Sequence, residues 1–232
     1  MKTLLVIAAR GGSKGLKNKN LLNINGKSLT YITLKKIDKN KNFDKIVLTS
    51  DSNKILNVAN YFHKIIKIKR PKYLSSDRAN IYKAVDHVLK LMKKNYNWSP
   101  DIILLTTPTT PFKKISHFYR CIKFMKKKDI SSVMTIRQPD YPTYWMLKKK
   151  GKHLVNALNK GNKFKRRQET PITFQPAGTV YAFNINALKN LIKNKKILPL
   201  NKTYGIEVSK KESINIDTLD DYNFAKYHAK KK

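Results

Sequence analysis

Short apolar runs alternate along this chain with longer segments in which apolar residues recur every three or four positions. Runs that are typical of buried strands begin at Thr3, Lys45, Ile65, Asp101 and Ser132. The segments between them predict helices over about 29–39, 51–62, 81–94 and 115–127. Strands that alternate with helices at this spacing form βαβ units. The predicted fold class is therefore α/β, a Rossmann-like, mostly parallel sheet flanked by helices.

The alternation stops between about residues 138 and 176, where Tyr, Pro and Lys are frequent and a hairpin is predicted near Tyr144 to Leu154. We interpret this stretch as an insertion within a single domain that covers residues 1–232. Regular structure resumes with a strand at 179–183, a helix at 187–193 and a short strand near 205–208. A final helix is predicted from about Leu219 to Ala229, with Asp217 as its N-cap.

The first apolar run leads directly into a glycine-rich, basic loop, Arg10-Gly11-Gly12-Ser13-Lys14-Gly15. Glycines let the backbone approach a phosphate group and point N–H groups at it. Arg10, Lys14 and the later Lys19 supply the positive charge that a polyphosphate requires. A glycine turn on a lysine-rich surface is the alternative, because a lone glycine-rich loop is weak evidence.

Other polar residues also lie where predicted strands end: Asp51, Arg70, Thr107 and the turn 108–111, which reads Pro-Thr-Thr-Pro. The carboxyl ends of parallel strands meet at one edge of a sheet, and ligands bind there. We therefore expect these residues and the glycine-rich loop to share one edge.

The formal net charge of +36 indicates contact with polyanions. The lysines, however, are spread over every predicted helix and loop instead of one face. We therefore expect no specific nucleic-acid partner, although a basic nucleic-acid-binding protein stays the rival from another functional class. In a chain so rich in lysine, an arginine marks a position where the planar guanidinium matters.

No apolar run approaches the roughly 20 residues of a membrane span, so no membrane association is expected. The apolar N-terminal run is short for a signal peptide and lacks a cleavage pattern, so a cytoplasmic protein is expected. The single cysteine, Cys121, is predicted to be a buried thiol. The histidines show no metal-ligand spacing.

The loop from Ala9 to Asn20 resembles the pattern A-R-x-x-S-K-G-x-x-x-K-N of the acylneuraminate cytidylyltransferases, the CMP-sialic acid synthetases. Other family segments follow in the same order: Arg70-Pro71 with Ala79, the turn 108–111, Arg167-Gln168-Glu169 with Tyr181, and Ser213 to Asp217. The resemblance implies a fold of the nucleotide-diphospho-sugar transferase type. It also implies transfer of CMP from CTP to the anomeric hydroxyl of a sialic-acid-like keto-deoxy sugar acid, with Mg²⁺ and release of pyrophosphate. The insertion would then be the arm of a homodimer, which covers the partner's sugar site.

The resemblance further implies a role for each matching residue. Arg10 and Lys19 would be catalytic, and Asp217 and Asn215 would bind the metal. Thr107, Arg167, Gln175 and Tyr181 would bind the sugar acid. The nucleotide would be held by Ala9, Arg10, Gly11, Gly12, Ser13, Lys14, Lys19, Asn20, Arg70 and Ala79.

The chain departs from the family pattern mainly where the family contacts the sugar. Thr107 replaces a glutamine there, and Gln175 and Ala177 replace an arginine and an asparagine. Asn215 replaces the first aspartate of the metal pair. A same-fold nucleotidyltransferase with another acceptor, and a nucleotide-binding homologue without catalysis, are therefore the alternatives within this fold.

Overall fold

The computed structural model describes residues 1–12, 15–38, 40–76, 79–127, 129–158, 163–196 and 202–230. Its central sheet contains the strands β1 (Thr3–Ala8), β4 (Lys45–Ser50), β5 (Ile65–Lys69), β6 (Ile102–Thr106), β7 (Ser132–Arg137), β10 (Gln175–Phe183) and β11 (Thr203–Glu207). Two short ribbons pair β2 (Asn23–Ile24) with β3 (Lys27–Ser28), and β8 (Leu147–Lys150) with β9 (His153–Asn156). The helices are α1 (Leu29–Ile37), α2 (Asn53–Asn57), α3 (Ile81–Tyr96), α4 (Ile115–Met125), α5 (Ile185–Lys193) and α6 (Leu219–Lys230).

The strands of the central sheet lie in the order β11-β7-β10-β6-β1-β4-β5. The pairs β1–β4, β1–β6, β4–β5 and β7–β11 are parallel, and β10 runs antiparallel to both of its neighbours. The sequence prediction of a mostly parallel α/β sheet is therefore confirmed.

Both faces of the sheet are covered, as the continuous apolar runs require. Leu5 and Ile7 of β1 pack into a core cluster with residues of α1, α2 and α4. Leu4 and Val6 point to the opposite face, where residues of α3 and α5 cover them. The result is a three-layer arrangement with β1 buried near its middle.

Two predicted boundaries differ from the structure. The helix predicted over about 51–62 is the short α2 followed by a 3-10 turn at Val58–Tyr61, in a segment whose asparagines are weak helix formers. β10 begins earlier than expected because Gln175 and Pro176 already pair with β7 across a register shift. Gly178, at φ +69°, supplies the left-handed conformation within that irregular stretch.

The prediction that Asp217 caps the final helix is wrong. Thr218 is the N-cap of α6: its Oγ1 accepts the N–H of Asp221 at 3.2 Å, and its own N–H donates to Asp221 Oδ2 at 2.8 Å. This reciprocal pair is a capping box that satisfies two backbone donors at once. The Asp217 carboxylate is therefore available for other partners.

The insertion contains the predicted hairpin, which is formed by β8 and β9. Several of its apolar side chains are exposed, including Tyr141, Leu147, Leu154 and Ile172. Cys121, by contrast, is fully buried, as expected, and burial raises the pKa of its thiol to about 12.

Candidate active site

A cavity of about 220 Å³ lies at the edge where β1, β4, β5 and β6 end. We call it the strand-end cavity. It is lined by Ala8, Arg10, Lys19, Asn20, Arg70, Leu74, Ser75, Ser76, Ala79, Ile81, Thr107 and Thr109. The prediction that Arg10, Arg70 and Thr107 share one edge of the sheet is thus confirmed, because parallel strands place their carboxyl ends together.

Close packing accounts for two of the glycines in the first loop, residues 9–20. The N–H of Gly11 donates to Asp51 Oδ1 at 2.8 Å, and a Cβ atom at Gly11 would lie 2.8 Å from the Cβ of Ser52. A Cβ atom at Gly15 would lie 2.9 Å from the carbonyl oxygen of Asp217. A Cβ atom at Gly12 would meet no other atom within 4 Å. Ser13 and Lys14, which are predicted to bind the nucleotide, lie outside the described residues.

Two residues of the first loop hold its ends in place. Ala9 is buried, and its N–H donates to the carbonyl oxygen of Thr49 at 3.1 Å. The Asn20 amide donates to the carbonyl oxygen of Arg10 at 2.8 Å, and Thr30 Oγ1 donates to the carbonyl oxygen of Asn20 at 2.7 Å. The backbone around Arg10 is therefore fixed from both sides.

Arg70 lines the strand-end cavity and is 5% exposed. Its guanidinium donates to the carbonyl oxygens of Thr49 at 2.8 Å and Leu74 at 3.5 Å. Burial lowers the pKa of Arg70, nearby Asp51 opposes that shift, and Arg10 adds to it. Arg70 therefore connects the end of β4 to Leu74, which also lines the cavity.

Several buried polar atoms in the cavity-lining residues lack a hydrogen-bond partner among the described residues. These atoms are Asn20 Oδ1, Arg70 Nε and Ser75 Oγ. Buried polar groups are nearly always paired in folded proteins. Their concentration here is typical of a site whose hydrogen bonds are completed by a ligand or by water.

Lys19 connects the first loop to a distant segment of the chain. Its Nζ lies 2.6 Å from Asp217 Oδ1, and the Asn215 side-chain amide donates to Asp217 Oδ2. Lys19 is 16% exposed at its side chain and Asp217 is 58% exposed. Within the described ranges, no group of three or more His, Cys, Asp or Glu side chains is arranged to hold a metal ion. Asn215 and Asp217 are in contact with each other, and Asp217 is in contact with Lys19, which lines the cavity.

The turn after β6, residues 107–111, supplies another wall; we call it the threonine turn. The hydroxyls of Thr107 and Thr109 lie 2.9 Å apart and both residues line the cavity. Behind the turn lies Lys113, which is 1% exposed. Burial lowers the pKa of Lys113 well below its ordinary value, and nearby Lys36 lowers it further. Sequence reasoning missed Lys113, because in a chain so rich in lysine nothing distinguishes it.

Three predicted sugar-binding residues are not among those that line the strand-end cavity. Arg167 lines a separate cavity of about 280 Å³ within the insertion. The amide oxygen of Gln175, when it faces Arg137, accepts hydrogen bonds from Nη2 of Arg137 at 2.6 Å and from Nε at 3.1 Å. Tyr181 is packed against the core face covered by α3 and α5, and burial raises the pKa of its hydroxyl. Thr107, which is also predicted to bind the sugar acid, does line the strand-end cavity.

No helix in the part of the chain that the structure describes is both long and apolar enough to cross a membrane.

Comparisons with known proteins agree with this architecture. The chain is 25% identical over 225 residues to N-acylneuraminate cytidylyltransferase of Streptococcus agalactiae serotype V, a match that covers 96% of this chain and 52% of that protein. It is 24% identical over 226 residues to pseudaminic acid cytidylyltransferase of Campylobacter jejuni serotype O:23/36, covering 97% of this chain and 95% of that protein. The chain therefore spans about half the length of the streptococcal relatives it matches.

A solved structure of CMP:2-keto-3-deoxy-manno-octonic acid synthetase complexed with CTP has a TM-score of 0.69 to this chain, at 14% identity and 98% coverage of both chains. At that identity the likeness supports the fold. A family model described as Cytidylyltransferase matches residues 4–223, which is nearly the whole chain. The chain therefore belongs to the cytidylyltransferase family, and CTP-dependent nucleotidyl transfer is the chemistry of that family.

Proposed function

We propose that this protein transfers CMP from CTP to the anomeric hydroxyl of a sialic-acid-like keto-deoxy sugar acid and releases pyrophosphate. The observation that carries the proposal is the strand-end cavity. It gathers the cations Arg10, Lys19 and Arg70 beside buried polar atoms that lack partners among the described residues. Positive charge suits a triphosphate, and unpaired polar atoms suit a ligand with many hydrogen-bonding groups.

In this reaction the anomeric hydroxyl oxygen forms a bond to the α-phosphorus of CTP. The bond from that phosphorus to the bridging oxygen of the β-phosphate breaks, pyrophosphate leaves with the electron pair, and the hydroxyl proton is released. Such transfers depend on positioning and charge neutralisation more than on covalent chemistry. Arg10 and the glycine-rich start of the first loop bind the triphosphate. Lys19 stabilises the charge that develops on the α-phosphate.

Asp217 and Asn215 would hold Mg²⁺ together with phosphate oxygens of the substrate. The donor set fits this ion, because Mg²⁺ is usually bound through one or two carboxylates and substrate phosphates and keeps several waters. The ion would supply charge neutralisation and a more acidic acceptor hydroxyl. The Lys19 ammonium lies 2.6 Å from the Asp217 carboxylate, so the proposed phosphate-binding and metal-binding side chains are adjacent.

The insertion over 138–176 is proposed to be the arm of a homodimer. Support comes from its exposed apolar side chains, such as Tyr141, Leu154 and Ile172, and from Arg167, which lies there instead of at the strand-end cavity. In a dimer of this kind, Arg167 would bind the carboxylate of a sugar held by the partner subunit. Light scattering of the protein at several concentrations tests the oligomeric state.

The residues predicted to bind the acceptor differ from those of the acylneuraminate cytidylyltransferases. Gln175, Ala177 and Thr107 stand where the acylneuraminate cytidylyltransferases have other residues. Gln175 is also engaged with Arg137 in the orientation that satisfies its amide. These observations favour, as a second candidate, an acid other than N-acetylneuraminate, either a related nonulosonic acid or a smaller acid.

The experiment that tests the function measures pyrophosphate release with Mg²⁺, each of the four nucleoside triphosphates in turn, and a panel of 2-keto-3-deoxy sugar acids. Release that requires both CTP and one acid is the expected result, and the acid that supports it identifies the acceptor. Calorimetric titration with CTP accompanies the assay. Absence of both CTP binding and pyrophosphate release would refute the proposal.

A further inference from the structure

Lys113 is a buried cation that the proposed chemistry leaves without a role. Its Nζ contacts the carbonyl oxygen of Thr107 at 2.8 Å, the carbonyl oxygen and Oγ1 of Thr110 at 2.8 and 3.2 Å, and Oγ1 of Thr33 at 3.3 Å. In the described part of the chain, none of its hydrogen-bond partners is a carboxylate. The ammonium is therefore held by neutral oxygens behind the cavity wall.

Burying an ammonium group without a carboxylate is unfavourable unless its hydrogen bonds are well satisfied. An apolar side chain of similar length would fill the same space without that cost. What Lys113 provides, and an apolar side chain would not, is three N–H donors. They reach two backbone carbonyls and a hydroxyl of the threonine turn.

Those carbonyls belong to Thr107 and Thr110 and lie on either side of Thr109, which lines the cavity. Buried backbone carbonyls need hydrogen-bond donors. The Lys113 ammonium, which lies behind the turn, donates to the carbonyl oxygens of Thr107 and Thr110. Thr107 and Thr109 line the strand-end cavity, and their hydroxyls are hydrogen-bonded to each other at 2.9 Å. The side chain of Lys113 therefore holds the turn whose residues Thr107 and Thr109 line the cavity.

The threonine turn also fixes the segment that carries Asp217. The carbonyl oxygen of Thr109 accepts the N–H of Ile216 at 2.9 Å, and Ile216 is itself fully buried. The next residue, Asp217, forms the ion pair with Lys19. A chain of direct contacts thus runs from Lys113, through the threonine turn and Ile216, to both sides of the proposed metal and phosphate site.

We propose that Lys113 is a positioning residue for the acceptor side of the active site. It sets the threonine turn, so that the hydroxyls of Thr107 and Thr109 face the acceptor and Ile216 holds Asp217 beside Lys19. The kinetic part of this inference rests on the proposed function, whereas the placement of the turn does not.

Lys36 provides a matched control on the same stretch of chain. Its Nζ donates to the carbonyl oxygens of Pro111 at 2.6 Å and Lys113 at 3.0 Å, from α1. Pro111 and Lys113 come after Thr107 and Thr109 in the chain, and neither of them lines the cavity. Lys36→Met and Lys113→Met remove the same chemical group from two anchors of one loop.

The first test is native-state hydrogen exchange, read at the Ile216 amide, which reports the bond to Thr109. Lys113→Met is expected to accelerate exchange at Ile216 relative to the amides of β4, whereas Lys36→Met leaves that ratio unchanged. Equal protection of Ile216 in Lys113→Met and the unmodified protein would overturn the inference, whether or not the protein is active.

The second test separates kcat from KM. Displacing a binding group by about 1 Å can cost about 10²-fold in turnover. We expect Lys113→Met to raise the KM for the acceptor acid and to lower kcat by up to that factor. Equal effects of Lys36→Met and Lys113→Met would instead assign the result to general loosening of the loop, which contradicts a specific role for Lys113.

Thr33→Val keeps the inference testable if Lys113→Met does not fold. This change removes one acceptor of Lys113 on α1 and leaves the threonine turn itself unaltered. A smaller change of the same sign in Ile216 exchange and acceptor KM is expected, and no change in either would overturn the inference. If the unmodified protein shows no CTP-dependent transfer, the proposed function fails, and hydrogen exchange still decides the role of Lys113.

Discussion

The side chains at the strand-end cavity differ in what they bind: some hold backbone carbonyls, and one pairs with a carboxylate. Asn20 and Arg70 use part of their hydrogen-bonding capacity to hold backbone carbonyls and keep other atoms unpaired within the described residues. Lys19 is different, because its ammonium directly faces a carboxylate that is more than half exposed. A substrate phosphate can therefore compete for Lys19 at modest cost, which fits a catalytic cation.

Replacing Lys19 is expected to lower turnover with little change in stability. A preorganised contact that stabilises developing charge is typically worth roughly 10²–10³ in rate, so Lys19→Met should reduce kcat by about that factor. Lys17→Met is the matched control, because Lys17 is exposed in the same loop and the charge change is identical. Steady-state pyrophosphate release compares the two. Equal turnover of both variants would remove Lys19 from the catalytic assignment.

Gly11 and Gly12 make a matched pair for the packing argument. A methyl group at Gly11 meets Ser52 at 2.8 Å, whereas one at Gly12 meets nothing within 4 Å. Gly11→Ala should therefore destabilise the fold by about 1–3 kcal/mol, the usual cost of overpacking, and Gly12→Ala should be close to neutral. Urea unfolding measures both. A stable Gly11→Ala variant would mean that Ser52 moves aside without cost.

At the scale of elements, the stretch from Ser209 to the start of α6 brings together most of the contacts that position Asp217. The Glu212 carboxylate accepts the N–H of Ser209 at 2.9 Å and lies 3.4 Å from His117 Nε2. It also forms an ion pair with the Lys114 ammonium at 2.5 Å. These contacts attach the stretch to α4 before it passes the threonine turn.

The cap of α6 should be measurable as stability. Thr218→Ala removes the hydroxyl that accepts the Asp221 N–H, and loss of such a cap costs about 1 kcal/mol. Thr218→Ser retains the hydroxyl and should restore most of that stability. Urea unfolding of the three proteins provides the comparison. Should Asp217→Ala cost more than Thr218→Ala, Asp217 would contribute to the start of the helix after all.

Acid should destabilise the protein partly through Glu212. Partial burial raises the pKa of this carboxyl, but hydrogen bonds from Lys114 and Ser209 outweigh it and lower the pKa from 4.5 to about 2. A depressed carboxyl pKa means that the folded state binds fewer protons than the unfolded state. The stabilisation is therefore complete above about pH 4.5 and is lost as the pH falls toward 2.

His117 acts in the same direction at higher pH. Burial lowers its pKa from 6.5, and Glu212 opposes that shift. The unfolded state therefore takes up a proton first as the pH falls below 6.5, so stability begins to decline there. Below about pH 4.5, Glu212→Gln should flatten the loss of stability measured by urea unfolding at several pH values. Glu207→Gln, which changes an exposed carboxyl on β11, should not. An unchanged loss of stability in Glu212→Gln would disprove this account.

At the scale of the whole molecule, the net charge of +36 determines association more than fold. We expect the protein to bind double-stranded DNA without sequence preference. A protein that makes about 6–10 phosphate contacts loses roughly 10³–10⁵ in affinity between about 50 and 200 mM salt. Fluorescence anisotropy with two unrelated duplexes tests this expectation. A sequence preference that survives higher salt would instead support a nucleic-acid-binding function.

Much of the architecture follows from local patterns. Each run of β-forming apolar residues lies in the strand predicted for it, because a strand buried on both faces has few alternatives for such residues. The convergence of Arg10, Arg70 and Thr107 was also predictable, since it needs only parallel strands and their order along the chain. The cap of α6 was predicted one residue too early, because Asp217 and Thr218 are both good N-cap residues, and the partner Asp221 selects between them.

The sequence by itself determined the fold class, the glycine-rich loop and the family, since these depend on periodicity, on residue types and on contiguous motifs. Only the tertiary structure decided which groups the lysines contact, and it alone singled out Lys113. Lys19 meets Asp217 across 198 positions of sequence, and Lys113 reaches Thr33 across 80. It likewise separated Arg167, Gln175 and Tyr181 from the strand-end cavity. The physical reason is that burial and hydrogen-bond pairing are properties of surroundings that distant segments supply, and no local pattern encodes them.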